Sequence, residues 1–458
     1  MTEHFSHLCS KELTAGDGFS CSCGMHHCMH IKYLDLGKTA AEKTAEAVLA
    51  LGCRHPMVLC DTNTYKVLGK KVDGLLADAG LDHSLFMIPC PEGEILEPSE
   101  YTVGSAVLNF DQYCDLVIAV GSGVINDTAR VLSTTAKVPQ LTVGTAPSMD
   151  GYASASSSMV VNNVKQTIPL KAPEGLILDT EILSAAPMKM LCAGLGDMLG
   201  KYTALCEWRL AALFRGEHYC DEIASLMENS LHKVICNAKG LKSRDAAAVE
   251  AVTEGLINSG IAMAFLGNSR PASGQEHYFS HCWEMFALER GKAYELHGLQ
   301  VGLGTLYTVI VLDRLKDIKP DMDKVKKAAE SFDKEEWERE IKRVFGATAG
   351  EILALEDRLC INETERRIKR AASIISHWDE AISIIDSTLP SPKFIYDLMK
   401  DIGLPTRPED IGIDKQDVLD AFVYSRNIRD KYLTSSMVWD IGYMDEMRDH
   451  LEKALDSY

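Results

Sequence analysis

The chain has 458 residues, enough for two to four domains that each bury a core. With 25% charged and 46% hydrophobic residues it has the composition of a globular protein, and 14 Cys are too few for a disulfide scaffold. A formal net charge of −19 excludes a general nucleic-acid binder and a basic membrane-surface protein, but leaves room for a small anionic ligand at a local basic site.

The sequence opens on a Cys/His-rich arm, residues 1–30. It holds Cys9, Cys21, Cys23 and Cys28 among His4, His7, His26, His27 and His30, and it shows no apolar periodicity. No charged-then-apolar leader opens the chain and no apolar run approaches 18 residues, so a cytoplasmic protein without membrane insertion is expected.

Residues 31–185 alternate short apolar runs with helix-like patterns. MVLC (57–60), LFMIPC (85–90), DLVIAV (115–120), PQLTVG (139–144) and GLILD (175–179) are predicted strands. KVLGKKVDGLLADAG reads as a helix and PEGEILEPS as a loop. This alternation predicts an α/β domain with a parallel, helix-covered sheet of Rossmann-like type. From 186 to 458 long amphipathic patterns dominate, first over 191–213, 222–237 and 244–265, with breaks at LPSP (389–392) and GLPTRPEDIG (403–412). That half is predicted to be an all-helical domain.

The segment DLVIAVGSGVINDTARVLS combines a strand, a glycine turn and a helix. Gly121 and Gly123 let backbone approach a phosphate, Ser122 adds a donor, and the following helix would aim its N-terminal N–H groups at the same anion. The third position of a G-x-G-x-x-G fingerprint holds Asn126 instead, so a tight strand-to-helix turn is the plainer alternative. Asp61, just after MVLC, can accept from a ribose hydroxyl, although taken alone a helix N-cap or turn residue is the plainer reading.

In the second half, Asp197 lies in AGLGDMLGKYTA, His277 and His281 lie four apart in SGQEHYFSHCWE, and His297 lies in YELHGLQVGLGT. A carboxylate and imidazoles suit Zn, Ni or Fe with a position open to substrate. The spacing alone leaves open which histidines are ligands and which are core residues.

Taken together, GSGVINDTAR, TAPSMDGYAS, AGLGDMLGKYTA, SRPASGQEHYFSH and ELHGLQVGLGT resemble the iron-containing alcohol dehydrogenase and dehydroquinate synthase superfamily. SRPASG-x-EH-x-x-SH points to its sn-glycerol-1-phosphate dehydrogenase branch. The resemblance implies a dehydroquinate synthase-like architecture, with an N-terminal domain that binds NAD or NADP and a helical domain that holds one divalent ion. It implies Asp197, His277 and His297 as metal ligands, and Asp150 and His281 as groups acting on substrate. It also implies a cofactor set of Asp61, Gly121, Ser122, Gly123, Asn126, Asp127, Thr145, Ser148 and Ser154. The implied reaction interconverts dihydroxyacetone phosphate and sn-glycerol 1-phosphate.

The substrate phosphate needs a cation of its own. Arg270 in SRPASG is the preferred candidate, ahead of Lys165, Lys171 and Lys292, because a guanidinium can grip phosphate through two hydrogen bonds. A homodimer is expected from base rates. The arm suits Zn, an iron–sulfur cluster or a redox-sensitive thiol pair, or equally a flexible arm with incidental Cys and His, since its spacing matches no standard zinc finger. Competing readings are a glycerol dehydrogenase or other polyol dehydrogenase, a cyclase that uses NAD catalytically, and a non-catalytic metal- or nucleotide-binding regulator.

Overall fold

A computed structural model describes residues 4–90, 96–161 and 164–457; the first residues of the predicted loop PEGEILEPS, 91–95, lie outside the described residues. Among the described residues ten strands form, in chain order: β1 Phe19–Ser20, β2 His26–His27, β3 Tyr33–Gly37, β4 Pro56–Asp61, β5 Ser84–Ile88, β6 Leu116–Gly121, β7 Gln140–Gly144, β8 Ser156–Val161, β9 Val164–Pro169 and β10 Gly175–Asp179. Six of them make one parallel sheet in the order β3-β10-β7-β6-β4-β5. All five predicted strands are in it.

Every residue of β4, β6, β7 and β10 is buried; β4, β6 and β10 accordingly carry apolar runs rather than alternating patterns, while β7 buries Gln140 and Thr142 in hydrogen bonds to Asn126. Val58, Cys60, Ile118 and Val120 pack into one hydrophobic cluster; Met57, Leu59, Val117 and Ala119 pack into another. The sheet is thus covered on both faces. From β4 the chain moves outward to β5, then returns to the other side of β4 as β6. The C-terminal ends of β4 and β6 therefore flank a topological switch point, where open α/β sheets bind ligands. The register pairs Leu59 with Ala119 and Gly121 with Gly144, so Asp61, Gly121 and Thr145 all lie at that edge.

The principal helices are α1 Gly123–Ala136, α2 Met188–Arg215, α3 Asp221–Asn237, α4 Ala246–Leu266, α5 Gln275–Glu289 and α6 His297–Leu315. Shorter helices fill the chain from Met322 to Leu455. Helix α4 is long and apolar enough to cross a membrane, but 78% of its apolar window is buried inside the protein, as in a core helix.

The chain forms two compact units. The first holds the residues up to Met198 together with Cys220–Pro271, and so contains the sheet, α3 and α4. The second holds Leu199–Tyr219 and the chain from Ala272 onward. Helix α2 contributes to both. Within the second unit α5 and α6 approach closely: a Cβ at Gly304 would stand 2.6 Å from the Glu276 carbonyl oxygen.

Residues 4–30 lie against α3 and α4. The N–H groups of Phe5 and Ser6 donate to Glu222, and the Ser10 hydroxyl donates to Asn258 at 2.8 Å. Phe5 is fully buried, with its ring 5.1 Å from Phe19 and 5.4 Å from Phe265. Strands β1 and β2 pair as an antiparallel hairpin.

Candidate active site

At the sheet edge, β6 ends at Gly121 because no side chain fits there: a Cβ would stand 2.5 Å from Cβ of Ile125. Ser122 caps α1 by position but makes no side-chain cap bond. Ser122, Gly123 and Val124 form a half-buried lip at the head of α1, where the first N–H groups of a helix lack intrahelical acceptors.

Asn126 is fully buried. Its amide oxygen accepts from Gln140 and Thr142 at 3.0 and 2.9 Å, and its amide nitrogen donates to the Gly151 carbonyl at 3.2 Å. These bonds tie α1 to β7 and to the loop after it. Asp127 accepts from Arg130 at 2.9 Å, and burial pushes its carboxyl up. Arg130, with no exposure, also donates to the carbonyls of Ser156 and Gly151 at 2.8 and 2.7 Å. Sequence reasoning passed over Arg130 because an arginine inside a helix ordinarily reads as surface.

Asp61 is the N-cap of the turn after β4, with Oδ1 accepting from the N–H groups of Asn63 and Thr64 at 2.8 and 2.7 Å. Thr145 N–H donates to the Gly121 carbonyl at 3.2 Å, and Thr145 and Ser148 are both buried. Ser154 bonds the Ser156 hydroxyl at 3.0 Å.

The segment Thr145–Asp150 lies directly on α2. A Cβ at Gly194 would stand 1.9 Å from the Pro147 carbonyl oxygen, so only glycine permits the approach. Three residues further along that helix is Asp197, which is fully buried and accepts the Asp150 N–H at 3.0 Å. The Asp150 carboxylate accepts the Ser259 hydroxyl at 2.7 Å. The first unit thus brings Asp150 and Asp197 together.

The second unit brings the histidines together. Rings of His277 and His297 lie 5.1 Å apart, and those of His281 and His297 6.1 Å apart. Nδ1 of His277 is hydrogen-bonded to Glu276 at 2.8 Å, which fixes the plane of the ring. Nδ1 of His297 is hydrogen-bonded to the Ser280 hydroxyl at 3.0 Å. Both rings are therefore oriented through Nδ1, the arrangement that metal-binding histidines need. Burial drives the His281 imidazole well below its ordinary pKa, so it is neutral near pH 7. Its buried Nδ1 faces the Glu284 carboxylate at 3.9 Å and has no hydrogen-bond partner among the described residues.

Three supporting residues carry no sequence signal. Glu276, fully buried, accepts from Thr203 and from the Gly274 N–H, both at 2.5 Å. Glu207 accepts from the N–H groups of Gln275 and Thr434 at 2.9 and 2.7 Å, fixing the start of α5. Lys201, with no exposure, donates to the Ala272 carbonyl at 3.0 Å. Arg270 is buried in the first unit, whereas Lys171 and Lys292 are exposed.

The iron-containing alcohol dehydrogenase profile matches residues 35–187. A glycerol-1-phosphate dehydrogenase (NAD(P)+) of Bacillus licheniformis is 29% identical over 427 residues, 93% of this chain and 93% of the relative. The protein of the same name from Bacillus velezensis is 30% identical, covering 88% of this chain and 90% of the relative. Among solved structures, glycerol dehydrogenase from Schizosaccharomyces pombe superposes with a TM-score of 0.59 at 16% identity, over 93% of this chain and 92% of that one, which establishes the shared fold. A match at 30% identity along nine-tenths of a relative, on this fold, places the chain in the glycerol-1-phosphate dehydrogenase family of iron-containing alcohol dehydrogenase-like proteins.

Proposed function

We infer that this chain is a metal-dependent, NAD(P)-linked oxidoreductase that interconverts dihydroxyacetone phosphate and sn-glycerol 1-phosphate. The likeness to the Bacillus velezensis protein along 90% of its length carries this reading. Residues 31–185 serve the nucleotide and 186–458 the metal. The enzyme works in the cytoplasm as a homodimer.

Asp197, His277 and His297 hold the ion. The donor set fits: one buried carboxylate, and two imidazoles each oriented through Nδ1. A Cβ at Gly200 would lie 3.6 Å from Cε1 of His277. When bound, the ion supplies Lewis-acid polarisation of the substrate oxygen and the nicotinamide carries the hydride.

The lip at Ser122–Val124 binds the cofactor pyrophosphate through backbone N–H groups. Asn126 and Asp127 act on it indirectly, by fixing α1 and the following loop. Oδ1 of Asp61 is taken by capping, so a ribose hydroxyl is held by Oδ2. Thr145, Ser148 and Ser154 flank the nicotinamide half. Asp150 orients the substrate hydroxyl. The neutral imidazole of His281 accepts the proton released in oxidation and returns it in reduction. Arg270 holds the substrate phosphate.

A cofactor-linked assay tests the reading. Dihydroxyacetone phosphate should support oxidation of NADH or NADPH far better than dihydroxyacetone, chelation should abolish turnover, and Ni, Zn or Fe should restore it. Equal turnover of the two ketones would make the chain a polyol dehydrogenase instead.

A further inference from the structure

The Cys/His arm does not stand alone. Cys21, Cys23 and His27 converge on Cys220, nearly two hundred residues later in the chain, and all four belong to the first unit. Sγ of Cys21 and Sγ of Cys220 lie 3.6 Å apart, too far for a disulfide. Nε2 of His27 is 3.3 Å from Sγ of Cys23 and 3.5 Å from Sγ of Cys220. All four donor atoms fall within 4.8 Å of one another. Around a tetrahedral zinc with bonds of about 2.3 Å to sulfur and about 2.0–2.1 Å to nitrogen, neighbouring donors stand roughly 3.5–3.8 Å apart. The three separations above, 3.3–3.6 Å, lie at or just below that spacing.

The surroundings are built for ligation. Nδ1 of His27 is 2.9 Å from the Phe265 carbonyl, which can only accept, so the proton sits on Nδ1 and the Nε2 lone pair faces the thiols. His27 and Cys220 have no exposure and Cys21 has 8%. The backbone between the ligands turns tightly. Cys21 N–H donates to Met25 and Gly24 N–H donates to Cys21, with Gly24 at φ +86°. A Cβ at Gly18 would stand 2.4 Å from the His27 carbonyl oxygen, so the hairpin closes only over glycine. Cys9 and Cys28, the other arm cysteines, are exposed and stand outside the cluster.

We propose that Cys21, Cys23, His27 and Cys220 form a closed, structural Cys3His zinc site that clasps the N-terminal arm to the head of α3. Binding forms three Zn–S bonds and one Zn–N bond and releases the three thiol protons to solvent, with no change of oxidation state. Four protein ligands fill the tetrahedron, so the site has no position for substrate.

Cobalt substitution of the full-length protein tests this apart from the catalytic ion. Only a thiolate-ligated cobalt gives intense sulfur-to-metal charge transfer in the near ultraviolet; a carboxylate–imidazole site does not. The proposal expects that band in the wild type, unchanged in Asp197→Ala and in Cys28→Ser, and lost in Cys220→Ser and Cys23→Ser. Zinc analysis should find one equivalent per chain that survives Asp197→Ala. Should Cys220→Ser fail to fold, the wild-type spectrum and the half-buried Cys23→Ser still decide. Absence of the charge-transfer band in the wild type, loss of all zinc in Asp197→Ala, or an intact mass two hydrogens light from a Cys21–Cys220 disulfide would each overturn it.

Discussion

Glu276 receives hydrogen bonds from Thr203, Gly274 and His277 with no exposure to solvent. Burial pushes its carboxyl up, but the His277 contact and the other bonds outweigh burial and hold it below the ordinary value. Replacing it by Gln weakens the orientation of His277, so Glu276→Gln should lower metal affinity about 10–100-fold. Titration against a chelator reads this, and an unchanged affinity would reduce Glu276 to a packing residue. His281→Ala should cut turnover and leave bound metal near stoichiometric, whereas Asp197→Ala and His277→Ala should lose both; metal stripped by His281→Ala would make His281 a ligand. Arg270→Ala should raise KM for dihydroxyacetone phosphate far more than for dihydroxyacetone. The histidines were legible in the sequence because imidazoles among small residues are unusual. Glu276, Lys201 and Glu207 were not, because a single charged letter does not reveal that folding will take it out of water.

Two helix contacts control the elements around the cofactor. Asn126 ties α1 to β7 and to Gly151, and Asn126→Ala would leave the buried Thr142 hydroxyl without that acceptor, while Gln140 keeps the Thr142 oxygen and the Asn126 carbonyl. The expected cost is about 1–3 kcal/mol by urea unfolding, with a raised KM for NAD(P)H. Gly194 admits the Pro147 carbonyl against α2, so Gly194→Ala must displace the segment that carries Ser148 and Asp150. Near-normal cofactor affinity in that variant would show that the segment can shift without consequence. The strands around these contacts were legible where burial on both faces makes them apolar runs, as in β4, β6 and β10. Strand β3, at the sheet edge with Asp35 in it, and the β8–β9 ribbon, with its serines and Lys165, carry no such run and escaped sequence reasoning. The i, i+3, i+4 patterns of 191–213, 222–237 and 244–265 became α2, α3 and α4 because each lies in a core deep enough to enforce periodicity.

For the whole molecule, a net charge of −19 coexists with buried cations such as Arg130, Lys201 and Arg270, and the lip proposed to bind the pyrophosphate lies at a helix N-terminus. The arm is the part of the molecule least legible in advance. Its hydrophobic partners, Phe265 and the head of α3, lie far along the chain, and periodicity within 30 residues cannot report them. Deleting residues 1–30 uncovers Phe265 and Glu222 and should lower the melting temperature by about 5 °C or more while the catalytic metal stays bound. No change in melting would mean that the arm contributes nothing to stability. That same docking fixes an order of assembly. Phe5, Ser10 and His27 leave the ribosome before their partners Glu222, Asn258 and Phe265, which follow 217, 248 and 238 residues later, roughly 11–50 s at typical synthesis rates. Throughout that interval the nascent protein trails an unseated end rich in thiols and imidazoles, so its first residues are among the last to reach their native partners.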